Sequence, residues 1–387
     1  MHIGIDARLY GIGHRGIGRY VEGLIAHIAQ DKQDKNRYTL FMLPEGMEHT
    51  KHLPRGKFTI ITTDARWYSL KEHIVMPRLV RASGVDMMHW THFNVPIVCP
   101  VPYVVTIHDL IVLHFPESRA TTLSPLRYKI KLAGYRFILK RAVSRARRVI
   151  AVSEYTKRDI VKHLGADASA IDVIYPGVEQ MVLGTERFSN TPQFTSYLAD
   201  RFGIRRSYLL CVGSAYPHKN LERLIECYGI LRERYSRNWQ LVLVGKNDHF
   251  YDQLKQSQSF MTLPESVRAD IVFTGEVADR DLDGLYRGAK LLVFPSLYEG
   301  FGFPPLEAAA RGIPVVASRF TSIPEVMADA AAYINPKNVQ QMAYAIDALG
   351  GSAKLQDELR DRGYARSRYF TWRATAFETL RIYKKAG

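Results

Sequence analysis

Residues 290–311 read K-L-L-V-F-P-S-L-Y-E-G-F-G-F-P-P-L-E-A-A-A-R. An apolar run that gives way to glycines, then prolines, then alanines is a strand turning into a helix. Gly300 and Gly302 free the backbone to approach a ligand, and Pro304 or Pro305 suits a first helical turn, where an N–H has no partner. The helix is expected from about Pro305 to Arg311. Outward from this unit, similar runs recur at H-I-G-I-D (2–6), R-Y-T-L-F-M-L (37–43), M-M-H-W (87–90), Y-V-V-T-I (103–107), R-V-I-A-V-S (148–153) and D-V-I-Y (172–175). A second series follows at Y-L-L-C-V-G (208–213), Q-L-V-L-V-G (240–245), D-I-V-F-T-G (270–275) and I-P-V-V-A-S (313–318). Apolar strands that end in Gly or Ser and lead into amphipathic helices make parallel sheets covered on both faces.

Two series predict two doubly wound α/β domains, and 387 residues exceed one comfortable core. Residues 176–207 are the least periodic and read as the linker. After Ala343 the chain reads as helical, with Trp372 and Phe377 as packing anchors. Ligands of open α/β sheets sit beyond the carboxyl ends of strands, so the expected active site is a cleft between the domains.

A hydrophobic content of 47% against 24% charged residues excludes a disordered chain. Cys99, Cys211 and Cys227 form no C-x-x-C pair, which suits a reducing cytoplasm and offers no cysteine metal site. The start M-H-I-G-I-D-A-R has no signal-peptide pattern. The apolar window 95–115 carries Pro96, Pro100, Pro102, His108 and Asp109, which a membrane-spanning helix tolerates poorly. Net charge is +15, and residues 1–180 hold 26 Lys and Arg against 16 Asp and Glu. Between Arg127 and Arg148 lie nine basic residues and no acidic one. With Leu126, Ile130, Ala133, Phe137, Ile138 and Leu139 at helical spacing, 126–148 reads as a basic amphipathic helix, either a solvated face packed on a sheet or a patch for an anionic membrane or polyanion. No nucleic-acid-binding signature accompanies it.

Three further features can carry chemistry. The first strand leads into G-I-G-H-R-G-I-G-R-Y (11–20), with Gly16 and Gly18 ahead of a helix expected from Arg19 to Ile28. Such a turn either brings amides to a phosphate or simply packs tightly. It lacks a Walker lysine, and L-F-M-L-P-E (40–45) does not provide the acidic residue that NAD binding requires. C-V-G-S-A-Y-P-H-K-N-L-E (211–222) sets Gly213 and Ser214 after a strand and Lys219 before a helix, where the lysine reaches a diphosphate or points to solvent. V-V-T-I-H-D-L (104–110) delivers His108 at a strand's carboxyl end, as hydrogen-bond donor or proton carrier.

In the opening stretch the helix end offers partial positive charge and the N–H groups of Leu306 and Glu307, while the prolines donate nothing. Phosphate binding then rests on the Gly302 and Phe303 amides and Lys219. Carboxylates would repel that phosphate, and their lone pairs match vicinal sugar hydroxyls. A nucleotide sugar has a diol-bearing end on each side of a diphosphate, which assigns Glu299 to the transferred hexose and Glu307 to the ribose. Taken singly, Glu307 could complement the helix dipole and Glu299 cap a turn. D-R-D-L-D (279–283) resembles a metal-binding D-x-D but reads as a helix's acidic first turn, so activity is expected to persist in chelator.

These residues resemble glycosyltransferase family 4, whose E-x7-E motif matches Glu299 and Glu307. G-I-G-R-Y, T-I-H-D-L with F-P-E (115–117), V-I-A-V-S-E-Y-T (149–156), P-H-K-N-L, L-Y-R-G-A (285–289) and a late Trp372 extend the likeness over nearly the whole chain. The wording of H-D-L, F-P-E and P-H-K-N-L is most similar to the mannosyltransferase B-like branch, which builds bacterial surface polysaccharides. The resemblance implies a GT-B fold of two Rossmann-like domains: an acceptor-binding domain at 1–180, with a helix at about 370–387 packing back on it, and a nucleotide-sugar domain at 181–369. It implies retaining transfer of a hexose, with mannose from GDP-mannose as the best match, to a glycan or lipid-linked hydroxyl, without cofactor or metal. It sets His108, Lys219 and Glu299 at the reaction, and Gly16, Gly18, Gly213, Ser214, Gly300, Phe301, Gly302, Phe303, Leu306 and Glu307 around the donor. The arginine common after the lysine-loop glycine is Ser214 here, leaving His218 or a nearby arginine as the second cation. A cytoplasmic enzyme peripheral on the inner membrane face is implied. The rivals are a GT-B epimerase or hydrolase and a non-catalytic sugar- or polyanion-binding protein.

Overall fold

The computed structural model describes residues 1–11, 16–116, 125–178 and 192–387. They divide into two compact units, one of residues 1–11, 16–116, 125–177 and 370–387, the other of 178 and 192–369. The first holds a seven-stranded sheet of β1 (His2–Asp6), β2 (Arg37–Met42), β3 (Phe58–Thr62), β4 (Met87–Trp90), β5 (Tyr103–Ile107), β6 (Arg148–Ala151) and β7 (Ile171–Val173). Its order is β3-β2-β1-β4-β5-β6-β7, with every pairing parallel. The second holds β8 (Tyr208–Val212), β9 (Gln240–Val244), β10 (Ile271–Gly275), β11 (Leu291–Phe294), β12 (Val315–Ser318) and β13 (Ala332–Ile334). Its order is β10-β9-β8-β11-β12-β13, again parallel throughout.

In both sheets the chain order reverses beside the first strand, at β1/β4 and at β8/β11. Central strands such as Y-V-V-T-I are buried along their whole length because helices cover both faces. The edge strand β3 and the three-residue β13 were not expected; their side chains are only partly buried, which leaves them without a long apolar run.

Several boundaries differ from expectation. The helix after the glutamate loop is Phe303–Ala310, not 305–311, because Gly302 at φ 99° turns the chain early and both prolines then fit the first turn. The first helix is Gly16–Gln30, so Gly16 and Gly18 lie within its first turn and not ahead of it. The expected linker contains a helix, Pro192–Phe202; residues 179–191 lie outside those described.

The C-terminal helix Trp372–Ala386 packs on Gly16–Gln30 in the first unit. Gly23 makes room for the Trp372 ring, which a Cβ there would meet at 2.3 Å. Beneath it, the buried His89 joins Tyr383 Oη (2.7 Å) to Thr106 Oγ1 (2.8 Å). Phe377, by contrast, faces solvent and anchors nothing. In the basic helix Pro125–Arg145 the packed side is Leu139, Ala142 and Val143, whereas Ile130 and Phe137 are 66% and 57% exposed. The expected apolar stripe is therefore only half covered. Among the described residues no helix is long and apolar enough to cross a membrane.

Candidate functional site

In the second unit the order reversal sets β8 beside β11, so the loops leaving their carboxyl ends are neighbours. From β8 come Gly213 and the turn Pro217–Lys219 before the helix Leu221–Glu233. From β11 comes the glutamate loop. Gly213 has φ 148°, and its carbonyl accepts a hydrogen bond from Tyr251 Oη at 2.8 Å. Lys219 Nζ lies 2.6 Å from Glu299 Oε1, and both side chains are largely buried. Two residues assigned separately to phosphate and to sugar are thus partners in this structure.

The two loops are bolted together by groups the sequence did not single out. Asn220, at φ 63°, donates from Nδ2 to the carbonyls of Pro295 (3.1 Å) and Pro336 (2.7 Å). The Leu297 amide donates to the His218 carbonyl at 2.7 Å. His218 itself is buried, and that burial together with nearby Lys219 pushes its pKa down to about 3. It is neutral and does not supply the cation missing at Ser214.

The glutamate loop is held from the other side by Thr321 and Ser322. Thr321 Oγ1 accepts from the Glu299 amide at 3.0 Å, and Ser322 Oγ is shared by the carbonyls of Glu299 and Phe301, both at 3.0 Å. Thr321 sits at φ 61°, a costly conformation for a β-branched residue. Phe301 packs edge-on against Phe303, with ring centroids 5.2 Å apart.

Because the helix starts at Phe303, its i→i−4 ladder already takes in Leu306 and Glu307. Their amides are not the free donors expected, and that part falls to Gly302 and Phe303 at the helix tip. Glu307 sits in the second turn, buried, and accepts a hydrogen bond from Tyr286 Oη at 2.8 Å. Tyr286 belongs to L-Y-R-G-A, on the helix Asp279–Gly288. The D-R-D-L-D carboxylates open that helix; Asp281 pairs with Arg201 and accepts from Tyr197, and Asp283 pairs with Arg287 and Arg311.

In the first unit, His108 follows β5 and its Nε2 lies 2.9 Å from the Thr91 carbonyl. A carbonyl only accepts, so Nε2 carries the proton and the neutral ring offers Nδ1 as an acceptor. Burial pushes the His108 pKa down to about 4, against the Thr91 hydrogen bond, and favours that neutral form. Of the two roles expected for His108, donor or proton carrier, this tautomer fits a proton-accepting Nδ1 and not a donor at that atom. Thr91 Oγ1 in turn donates to the Asp6 carbonyl at 2.7 Å, tying the ends of β4 and β1 together. The residues between Gly11 and Gly16 lie outside those described.

Two family profiles match the chain, Glycosyl transferases group 1 over residues 201–366 and Glycosyltransferase Family 4 over residues 14–180. The chain is 25% identical over 344 residues to the O-antigen chain mannosyltransferase RfbU of Salmonella typhimurium, a match covering 86% of each. It is 28% identical over 283 residues to O-antigen chain mannosyltransferase B of Escherichia coli, covering 73% of this chain and 70% of that one. The serotype-specific mannosyltransferase WbdA of Escherichia coli is 35% identical over 182 residues, which are 46% of this chain but only 22% of that protein. Among solved structures, Anabaena HepE in complex with UDP and glucose aligns with a TM-score of 0.72 at 18% identity over 99% of both chains. WaaG, a glycosyltransferase involved in lipopolysaccharide biosynthesis, aligns with 0.71 at 16% identity and the same coverage.

Proposed function

This chain belongs to glycosyltransferase family 4 and has the GT-B fold, and from that premise we propose that it is a retaining hexosyltransferase of surface polysaccharide synthesis that uses GDP-mannose as donor. The observation that carries the reading is the meeting of Lys219 and Glu299 at the β8/β11 reversal, beside the amino end of Phe303–Ala310. A diphosphate there takes Lys219 as counter-ion and the Gly302 and Phe303 amides as donors. Glu299, released from the lysine, accepts from hydroxyls of the hexose, and Glu307 from those of the ribose. In the first unit, His108 presents Nδ1 as an acceptor for a hydroxyl. The mannose assignment draws on the names of the O-antigen relatives.

In the reaction the bond from the anomeric carbon to the phosphate oxygen breaks, and the acceptor oxygen bonds to the same face. The acceptor proton passes to the departing diphosphate. Negative charge grows on that leaving group, so Lys219 and the helix tip bind the transition state more tightly than the ground state. The ion pairs of Asp281 and Asp283 support a step without a divalent ion, and added Mg²⁺ or Mn²⁺ is expected to leave turnover unchanged.

The basic helix Pro125–Arg145, with Ile130 and Phe137 exposed among Lys129, Lys131, Arg136 and Lys140, fits a lipid-linked acceptor on an anionic membrane surface. Vesicle binding that weakens with added salt is the expected outcome. The main test is a thermal-shift and transfer screen over nucleotide sugars. GDP-mannose should raise the melting point most and support transfer, and Glu299→Ala and Lys219→Ala should abolish transfer. If no nucleotide sugar stabilises the protein, or if both variants act as wild type, the transferase reading is wrong and a binding protein remains.

A further inference from the structure

A cluster of possible metal ligands lies in the first unit, in residues that the transfer chemistry does not use. Asp159 and His163 stand one turn apart on the same face of the helix Glu154–Leu164, and His114 closes the short helical turn Ile111–His114 just after His108 and Asp109. His114 Nε2 lies 2.8 and 3.0 Å from the two Asp159 oxygens, and His163 Nε2 lies 3.3 Å from Asp159 Oδ1. The three ligand atoms are all within 4.8 Å of one another. The imidazole rings meet edge-on, with centroids 4.9 Å apart and planes at 79°.

We propose that His114, Asp159 and His163 bind one divalent transition-metal ion, zinc by preference. Nitrogen and carboxylate ligands stand roughly 2.0–2.2 Å from zinc, so neighbouring donors in a tetrahedral shell are about 3.3–3.6 Å apart; the 3.3 Å from His163 to Asp159 already matches, and the ligand atoms, all within 4.8 Å, need only a modest closure. Two imidazoles and one carboxylate are a donor set for zinc or iron, and not for magnesium or calcium, which take oxygen. Lys157, Arg158 and Lys162 on the same helix add positive charge that works against any loosely held cation. The site selects by directional nitrogen ligands. Asp159 is buried while His163 is a third exposed, which gives the ion a way in from solvent.

The consequence is structural. Asp109 Oδ1 accepts from the Ile111 amide at 3.0 Å, so the turn that ends in His114 starts directly at the His108 loop. A bound ion ties the far end of that turn to the helix following β6. It leaves the glycosyl-transfer reading untouched, since it rests on different residues.

The test uses full-length protein without an affinity tag, stripped with chelator, exchanged into buffer and titrated with Zn²⁺ against a chromogenic chelator. Wild type should take up one equivalent, and its melting midpoint should rise with zinc. His163→Ala, at a partly exposed position, should lose the thermal shift and bind at least about tenfold more weakly. His114→Gln should behave alike. Absent uptake in wild type, or equal uptake and affinity in wild type and H163A, overturns the site; the two histidines then serve only as hydrogen-bond donors to Asp159.

Discussion

At the scale of residues, the Lys219–Glu299 pair is the centre of the proposed donor site. Both side chains are withdrawn from water, so removing one strands the other as a buried, uncompensated charge. Lys219→Ala should therefore lower transfer by about 10²-fold or more, since it removes the counter-charge of the leaving group. Steady-state kinetics with the preferred donor checks this; a loss under tenfold would move that role elsewhere. Tyr286 donates to Glu307 from within the core and orients its carboxylate. Tyr286→Phe should raise the donor KM roughly tenfold, the worth of one hydrogen bond to a charged group, with kcat nearly unchanged. Donor analogues lacking ribose hydroxyls should lose less affinity in the variant than in wild type. Glu299, Glu307 and Lys219 were legible from local pattern because glycines, prolines and a preceding strand frame them. Asn220 and Ser322 were not, because the atoms they hold lie 75 and 23 residues away in sequence.

At the scale of elements, the amino end of Phe303–Ala310 depends on Gly302. Its φ of 99° disfavours any side chain, and a Cβ there would stand 2.5 Å from Ile323 Cδ1. Gly302→Ala should cost about 1–3 kcal/mol and weaken donor binding, measured as a lower urea midpoint and a smaller thermal shift with nucleotide. A midpoint equal to wild type would mean that the turn can take another path. The contact between Gly16–Gln30 and Trp372–Ala386 is similarly tight at Gly23. Gly23→Leu should lift the C-terminal helix, seen as faster proteolytic release of a fragment from about residue 370. The helix start was misplaced by two residues because Pro304 and Pro305 are both acceptable in a first turn, and only the backbone angle at Gly302 decides between them. The exposed Ile130 and Phe137 were read as packed for a related reason: helical spacing names a face, and what covers that face is a tertiary matter.

At the scale of the whole molecule, buried neutral histidines set its acid tolerance. His89, His92 and His218 are held at pKa values of about 3, chiefly by burial, and the half-buried His108 at about 4, chiefly by the withdrawal of its ring from water. An unfolded chain takes up these protons near pH 6.5, so the folded state is fully favoured above about pH 6.5 and loses stability as pH falls toward 4 and then 3. Each group contributes a slope of up to about 1.4 kcal/mol per pH unit in that window. The urea midpoint should be level from pH 7 to 8 and fall steeply below 6.5; a level midpoint down to pH 5 would contradict it. The sequence by itself determined the two parallel sheets, because their apolar runs bury strands on both faces, and it determined the glutamate loop, because glycine and proline restrict the backbone locally. Only the tertiary structure decided that Lys219 meets Glu299, that Tyr286 holds Glu307, and that His114 joins Asp159 and His163. Each of these pairings joins residues from separate elements, and which elements become neighbours depends on strand order, which no local pattern encodes.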